Sequence, residues 1–68
     1  MSGVDIAQLP GMIESALKGA EGVEQMLMIG EAEKALIAAY LKTGKYNQSQ
    51  AETLAKKEMD RIRERLSE

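Results

Sequence analysis

Residues 23–41 read VEQMLMIGEAEKALIAAYL, and thirteen of these nineteen residues are apolar. The apolar residues do not keep to one side of a helix, since Met26 to Ile29 follow one another without a break. A helix that is apolar all round must be covered all round. In a chain of 68 residues, flanking helices can supply only part of that cover. We therefore predict an all-α protein, a small helical bundle completed by a second copy of the chain.

The composition excludes several kinds of covalent cross-link, metal site and catalytic site. The sequence has no Cys and no His, so it cannot form disulfides, thiolate zinc sites or histidine-based sites. Phe and Trp are also absent, and β-branched residues are sparse, which favours helix over sheet. We expect no metal and no cofactor. Association of copies is then the remaining means of stabilising a domain of this size.

Charge is distributed unevenly along the chain. Residues 1–34 carry six acidic and two basic side chains, a net charge of −4, whereas residues 35–68 carry seven basic and five acidic ones, a net charge of +2. This polarity would help two copies meet antiparallel, although exposed pairs contribute little energy. The N-terminus lacks a basic signal region, and charges interrupt residues 23–41. We expect a cytoplasmic protein that does not enter a membrane.

Helix start and stop signals divide the chain. We predict three helices within a single domain spanning 1–68: about 10–18, 22–43 and 48–67. Pro10 suits the first position of the first helix, where a missing N–H is not needed. Gly19 and Gly44 each follow a basic last turn and suit the left-handed position after a helix end. The fold is therefore expected to be built on an antiparallel hairpin of the second and third helices.

The third helix has the clearest local signals. Asn47 precedes Gln50 by three residues, and Ser49 precedes Glu52 by three, so two overlapping capping boxes are available at its start. Beyond them, apolar residues recur at spacings of four, three and four and form one narrow stripe: Ala55, Met59, Ile62 and Leu66. This stripe predicts an amphipathic helix with one buried side.

The segment 19–22, Gly-Ala-Glu-Gly, allows two structures. In the first, it is a tight connection between two helices, and Gly19 adopts positive φ. In the second, the first two helices fuse, because apolar residues keep an unbroken three-four spacing from Ile6 to Leu27. Each helical glycine would then cost about 1 kcal/mol relative to alanine. We favour the connection.

No residues of this sequence have the spacing of a nucleophile, a base and a third orienting group, so we do not expect an enzyme. The leading hypothesis is a regulatory adaptor that binds another protein through helices and self-associates as a dimer. Its contact surface is expected where apolar side chains exceed what one hairpin can hide. These candidate contact residues are Met26, Met28, Ile29, Ile37 and Leu41.

Two other functions remain open. Lys57, Arg61 and Arg65 lie four residues apart and would form a basic row that could contact nucleic-acid phosphates. Glu58 and Glu64 lie among them, and the net charge of the chain is −2, so a solvated helix surface is the simpler interpretation. The other possibility is a structural component of a larger assembly, such as a viral particle. In such an assembly, neighbouring subunits would bury the apolar surface of a short helical chain.

The C-terminal half also resembles the terminal helix-turn-helix of Fis and NtrC-type regulators. The resemblance lies in residues 36–40, in Thr43-Gly44 and in the Asn-Gln-Ser-Gln-Ala sequence of 47–51. It implies a DNA-binding pair of helices. The sequence departs from the motif at Lys56-Lys57, where the motif turns at a glycine and this chain continues its helical pattern.

Overall fold

We describe residues 6–67 of the chain in a computed structural model, and this range is helical without any strand. A single turn of 3-10 helix at Ile6–Gln8 precedes three α-helices: α1 at Leu9–Lys18, α2 at Gly22–Lys42 and α3 at Gln48–Leu66. The all-α prediction is therefore confirmed, and the helix bounds lie within one residue of those expected. Within residues 6–67, no helix combines the length and apolarity needed to cross a bilayer.

α1 is short and presents one apolar side to the core. It begins one residue before Pro10, so this proline still lies in the first turn, where its missing N–H is not needed. Ile13 and Leu17 are one turn apart and are buried. At its end, the backbone N–H of Gly19 donates to the carbonyl oxygen of Ala16 at 3.2 Å. Gly19 has φ −89°, so the prediction of positive φ at this glycine is wrong.

The chain is not helical at residues 20–21, so α1 and α2 are separate helices. The residue with positive φ is Gly22, at +58°, where α2 begins. The side-chain amide of Gln25 folds back and donates to the carbonyl oxygens of Leu17 at 2.9 Å and Ala20 at 3.2 Å. Carbonyls at a helix end lack partners from a further turn. The side chain of Gln25 therefore caps α1 and fixes the start of α2 beside it.

The turn between α2 and α3 follows its local sequence signals. Gly44 has φ +76°, and its N–H donates to the carbonyl oxygen of Leu41 at 3.1 Å, as expected for a glycine after a helix end. The N–H of Gln50 donates to Oδ1 of Asn47 at 2.8 Å, and the N–H of Asn47 donates to Oε1 of Gln50 at 3.0 Å. This is a complete capping box. Ser49, predicted as a second cap, lies inside α3 instead.

The core lies where the three helices meet. Its buried members are Ile13, Leu17, Leu36, Ala55, Met59 and Ile62. α3 contributes the stripe that its spacing predicts, and α1 contacts both other helices, while the α2–α3 contact is the most extensive. Of the residues of α2, all of which are described, only Leu36 is fully buried. The flanking helices therefore cover one side of α2 and leave its other side open.

Candidate protein-interaction surface

The open side of α2 carries large apolar side chains near its N-terminal end. Val23 is 72% exposed, Met26 is 71% exposed and Leu27 is 65% exposed. Their spacing of three and four residues places them on one side of the helix. We call this side the outer face of α2 and define it as Val23, Met26, Leu27, Gly30, Lys34, Ile37, Ala38 and Leu41.

The outer face is open because the opposite side of α2 supplies the core contacts. Leu36 is fully buried, and three further residues at helical spacing, Ile29, Ala32 and Tyr40, pack partly buried against the core. Both α1 and α3 contact α2. Since these contacts converge on the inner side, the described part of the chain leaves the outer face largely uncovered.

The five predicted contact residues differ in how much of their surface is exposed. Met26 and Leu41 lie on the outer face, and Leu41 is 36% exposed. Met28 and Ile29 are partly buried and pack against the core of the chain, so less of their surface is exposed. Ile37 is partly buried at the edge of the outer face, where it also packs against the core.

Sequence reasoning missed the two residues Val23 and Leu27 as contact candidates. They entered the sequence analysis only within the apolar seam of the alternative structure, a helix fused with α1, which the chain does not form. Both share a helix side with Leu41, at distances of eighteen and fourteen residues, which are five and four helical turns. This shared position around the helix axis is the signal in the sequence that could have identified Val23 and Leu27.

A shallow apolar groove of about 410 Å³ lies between α1 and α2, next to the outer face. The groove is lined by Ile13, Ala16, Met28, Glu31, Ala32 and Ala35. Glu31 is its one charged lining residue among those described. The groove extends the apolar surface of α2 toward α1.

The basic row of α3 is partly neutralised by acidic side chains of the same chain. Nη1 of Arg61 lies 3.0 Å from Oε1 of Glu58, and Nη1 of Arg65 lies 3.3 Å from Oε1 of Glu14 on α1. Lys57 is exposed. Two of the three residues predicted to contact nucleic acid therefore pair with carboxylates of their own chain.

The region that resembles a helix-turn-helix motif contains one continuous helix. α3 runs without interruption from Gln48 to Leu66. The motif bends where this chain has Lys56 and Lys57, and both lie within α3. The C-terminal half therefore has no turn at the place where the motif has one.

Burial raises the pKa of the Tyr40 phenol, the carboxylate of Glu58 and the neighbouring Tyr46 raise it further, and Arg61 lowers it. A raised pKa works against the phenolate that a nucleophile or base would need. The rings of Tyr40 and Tyr46 meet edge to face, with centroids 5.5 Å apart, which is a packing contact. Within residues 6–67, no acidic cluster could hold a metal ion.

No family model matches the chain, and no curated protein or solved structure matches it.

Proposed function

We propose that this protein is a non-enzymatic interaction module that acts through protein–protein contacts and forms a dimer through the outer face of α2. One observation carries the proposal: Val23, Met26 and Leu27 are each about two-thirds exposed or more, and they are adjacent on one helix. Isolated exposed apolar residues are ordinary, but a contiguous patch marks a contact site.

The energy available from this patch is of the right order. Full burial of one such side chain contributes about 1.5–3 kcal/mol. Burying the exposed parts of Val23, Met26 and Leu27 in both copies would contribute about 6–12 kcal/mol. Association costs about 4–15 kcal/mol. The gain and the cost are comparable, so dimerisation should depend on concentration and should draw on the rest of the outer face.

In this proposal, α2 and α3 form an antiparallel hairpin, and two hairpins form a two-fold helical bundle. The short connection at residues 43–47 and the extensive α2–α3 contact support the hairpin. The proposal of a regulatory adaptor rests on the exposed apolar side chains of the outer face, because partner helices commonly bind to apolar surfaces. A reducing cytoplasm suits a chain without Cys.

Nucleic-acid binding has less support. Arg61 and Arg65 are paired with Glu58 and Glu14, and the chain carries a net charge of −2. A phosphate-binding surface needs cations that are free to displace counterions.

The test is the mass of the particle in solution, measured by light scattering and sedimentation over a range of concentrations. We expect the unmodified protein to be a dimer at high concentration and Leu27→Glu to be a folded monomer, because Leu27 is exposed in the protomer. Met12→Glu is the matched control: Met12 is an exposed apolar residue of α1, 51% exposed, and its substitution should leave the dimer intact.

A monomer of 7.4 kDa at every concentration would contradict the proposal. Large assemblies instead of dimers would favour the structural-component interpretation. Ile37→Asp is a poorer probe than Leu27→Glu because Ile37 packs against the core. Its substitution could unfold the chain, and loss of the dimer could then not be distinguished from loss of the fold.

A further inference from the structure

We propose that the two copies pack their α2 helices antiparallel, outer face against outer face, with Val23 of each copy against Leu41 of the other. This inference rests on the proposed self-association and specifies its geometry. It follows from the order of side chains along the outer face, from the small residue at its centre and from the charges at its rim.

The outer face contains a continuous heptad seam. Six of its residues are spaced by four, three, four, three and four: Val23, Leu27, Gly30, Lys34, Ile37 and Leu41. This spacing is the pattern by which two helices interlock side chains along their length. All six belong to the outer face, with Ile37 at its edge against the core, and all are at least partly exposed.

One antiparallel register matches this seam with itself. It places Val23 against Leu41 and Leu27 against Ile37, twice each because of the two-fold symmetry. In each apolar layer, a well-exposed side chain from the N-terminal half of α2 meets a less exposed one from the C-terminal half. Both ends of the seam are then closed by apolar pairs.

The centre of the seam selects antiparallel over parallel packing. In the antiparallel register, Lys34 of one copy lies over Gly30 of the other, and a Cβ at Gly30 would meet nothing within the protomer. The aliphatic stem of Lys34 can cross this space and carry its ammonium group to water beside Glu31 of the other copy. In a parallel pair, Lys34 would meet Lys34 and Gly30 would meet Gly30, which combines charge repulsion with a void.

Charges at the rim agree with the same direction. Glu24 and Lys42 are eighteen residues apart, which is five helical turns, so they lie along one edge of the outer face. An antiparallel partner brings Glu24 of one copy near Lys42 of the other. Within residues 6–67, neither side chain forms an ion pair in the protomer. Such rim pairs contribute more to orientation than to affinity.

Single cysteines test the register, since the natural sequence has none. Val23→Cys and Leu41→Cys are prepared separately and oxidised with oxidised glutathione, alone and as an equimolar mixture. We expect a disulfide-linked dimer in the mixture, several-fold above either variant alone. In the proposed register, two copies of position 23 are about 27 Å apart along the helix axis. That distance is far beyond the span of a disulfide.

Lys57→Cys, on the exposed side of α3, measures background cross-linking from random collision. Efficient cross-linking of Val23→Cys with itself would indicate a parallel pair and would overturn the inference. A dimer by sedimentation that gives no cross-link above background would overturn the register but not the self-association. A monomer by sedimentation, with both variants folded by circular dichroism, would overturn both.

Discussion

The side-chain amide of Gln25 donates a hydrogen bond to the backbone carbonyl oxygen of Leu17 at 2.9 Å and so joins the first turns of α2 to the end of α1. The same nitrogen also reaches the carbonyl oxygen of Ala20 at 3.2 Å. Gln25 is partly buried, so water replaces these bonds only in part. Because Val23 and Leu27 flank Gln25 in sequence, this contact also holds the exposed end of the outer face in place.

We predict that Gln25→Glu destabilises the protein by about 1–3 kcal/mol, because it removes the donor and turns a carboxylate toward two carbonyl oxygens. Urea unfolding followed by circular dichroism measures the change. Glu64→Gln, at an exposed position of α3 away from the outer face, is the control and should change the free energy of unfolding by less than about 0.5 kcal/mol. Equal effects from the two substitutions would mean that the Gln25 bonds do not stabilise the fold.

The two glycines of the α1–α2 connection should respond differently to alanine. Gly22 has φ +58°, a conformation that costs an alanine about 1–2 kcal/mol, so Gly22→Ala should lower the melting temperature. Gly19 has φ −89°, and a Cβ there would lie 3.6 Å from the carbonyl oxygen of Ala16, an ordinary contact. Gly19→Ala should therefore leave the melting temperature nearly unchanged. A larger fall for Gly19→Ala would contradict these backbone conformations.

Local signals account for what the sequence predicts best. Asn47 and Gln50 form their capping box within four residues, and Gly44 ends α2 by bonding its own preceding turn. Neither interaction depends on the rest of the chain. The connection at residues 19–22 is different, because it offers glycines at both ends. Positive φ falls at Gly22, where the return of α2 over α1 and the Gln25 bonds set the direction of the chain.

The location of the open surface was predicted only in part, for a non-local reason. Apolar residues occur on every side of α2, so its own sequence does not say which side faces the core. The packing of α1 and α3 around Leu36 determines which side of α2 is buried. Ile29 therefore packs against the core and Met26 is exposed, although only two residues separate them. A pattern with one apolar side, such as that of α3, leaves no such choice, and its stripe was predicted correctly.

Loss of the cap at α3 should destabilise the protein measurably. Asn47→Ala removes the acceptor for the N–H of Gln50 and should cost about 1 kcal/mol. In a domain of this size, that corresponds to a fall of about 4–8 °C in melting temperature. Ser49→Ala is the control, because Ser49 lies inside α3 and does not cap it. If Ser49→Ala produced the larger fall, the cap would have been assigned to the wrong residue.

Alkaline pH should weaken the fold through Tyr40. Burial first, and then the charge of Glu58, raise the pKa of this phenol above its ordinary value of 10.0. The folded state therefore holds the phenolic proton more tightly than the unfolded chain does. The stability that this contributes is complete below pH 10.0 and is lost as the pH rises through the raised pKa of the folded state.

Two single-tyrosine variants isolate this effect, since the chain has only two tyrosines. In Tyr46→Phe, the tyrosinate absorbance reports Tyr40 alone, and its midpoint should lie above 10.0 in the folded protein and return to the ordinary value in urea. Tyr40→Phe should unfold less steeply than the unmodified protein as the pH rises above 10.0, because it removes the group whose proton loss opposes folding. A Tyr40 midpoint at or below the urea value would show that its phenol is not held in a buried, acidic environment, and the packing of α2 against α3 at Glu58 would need revision.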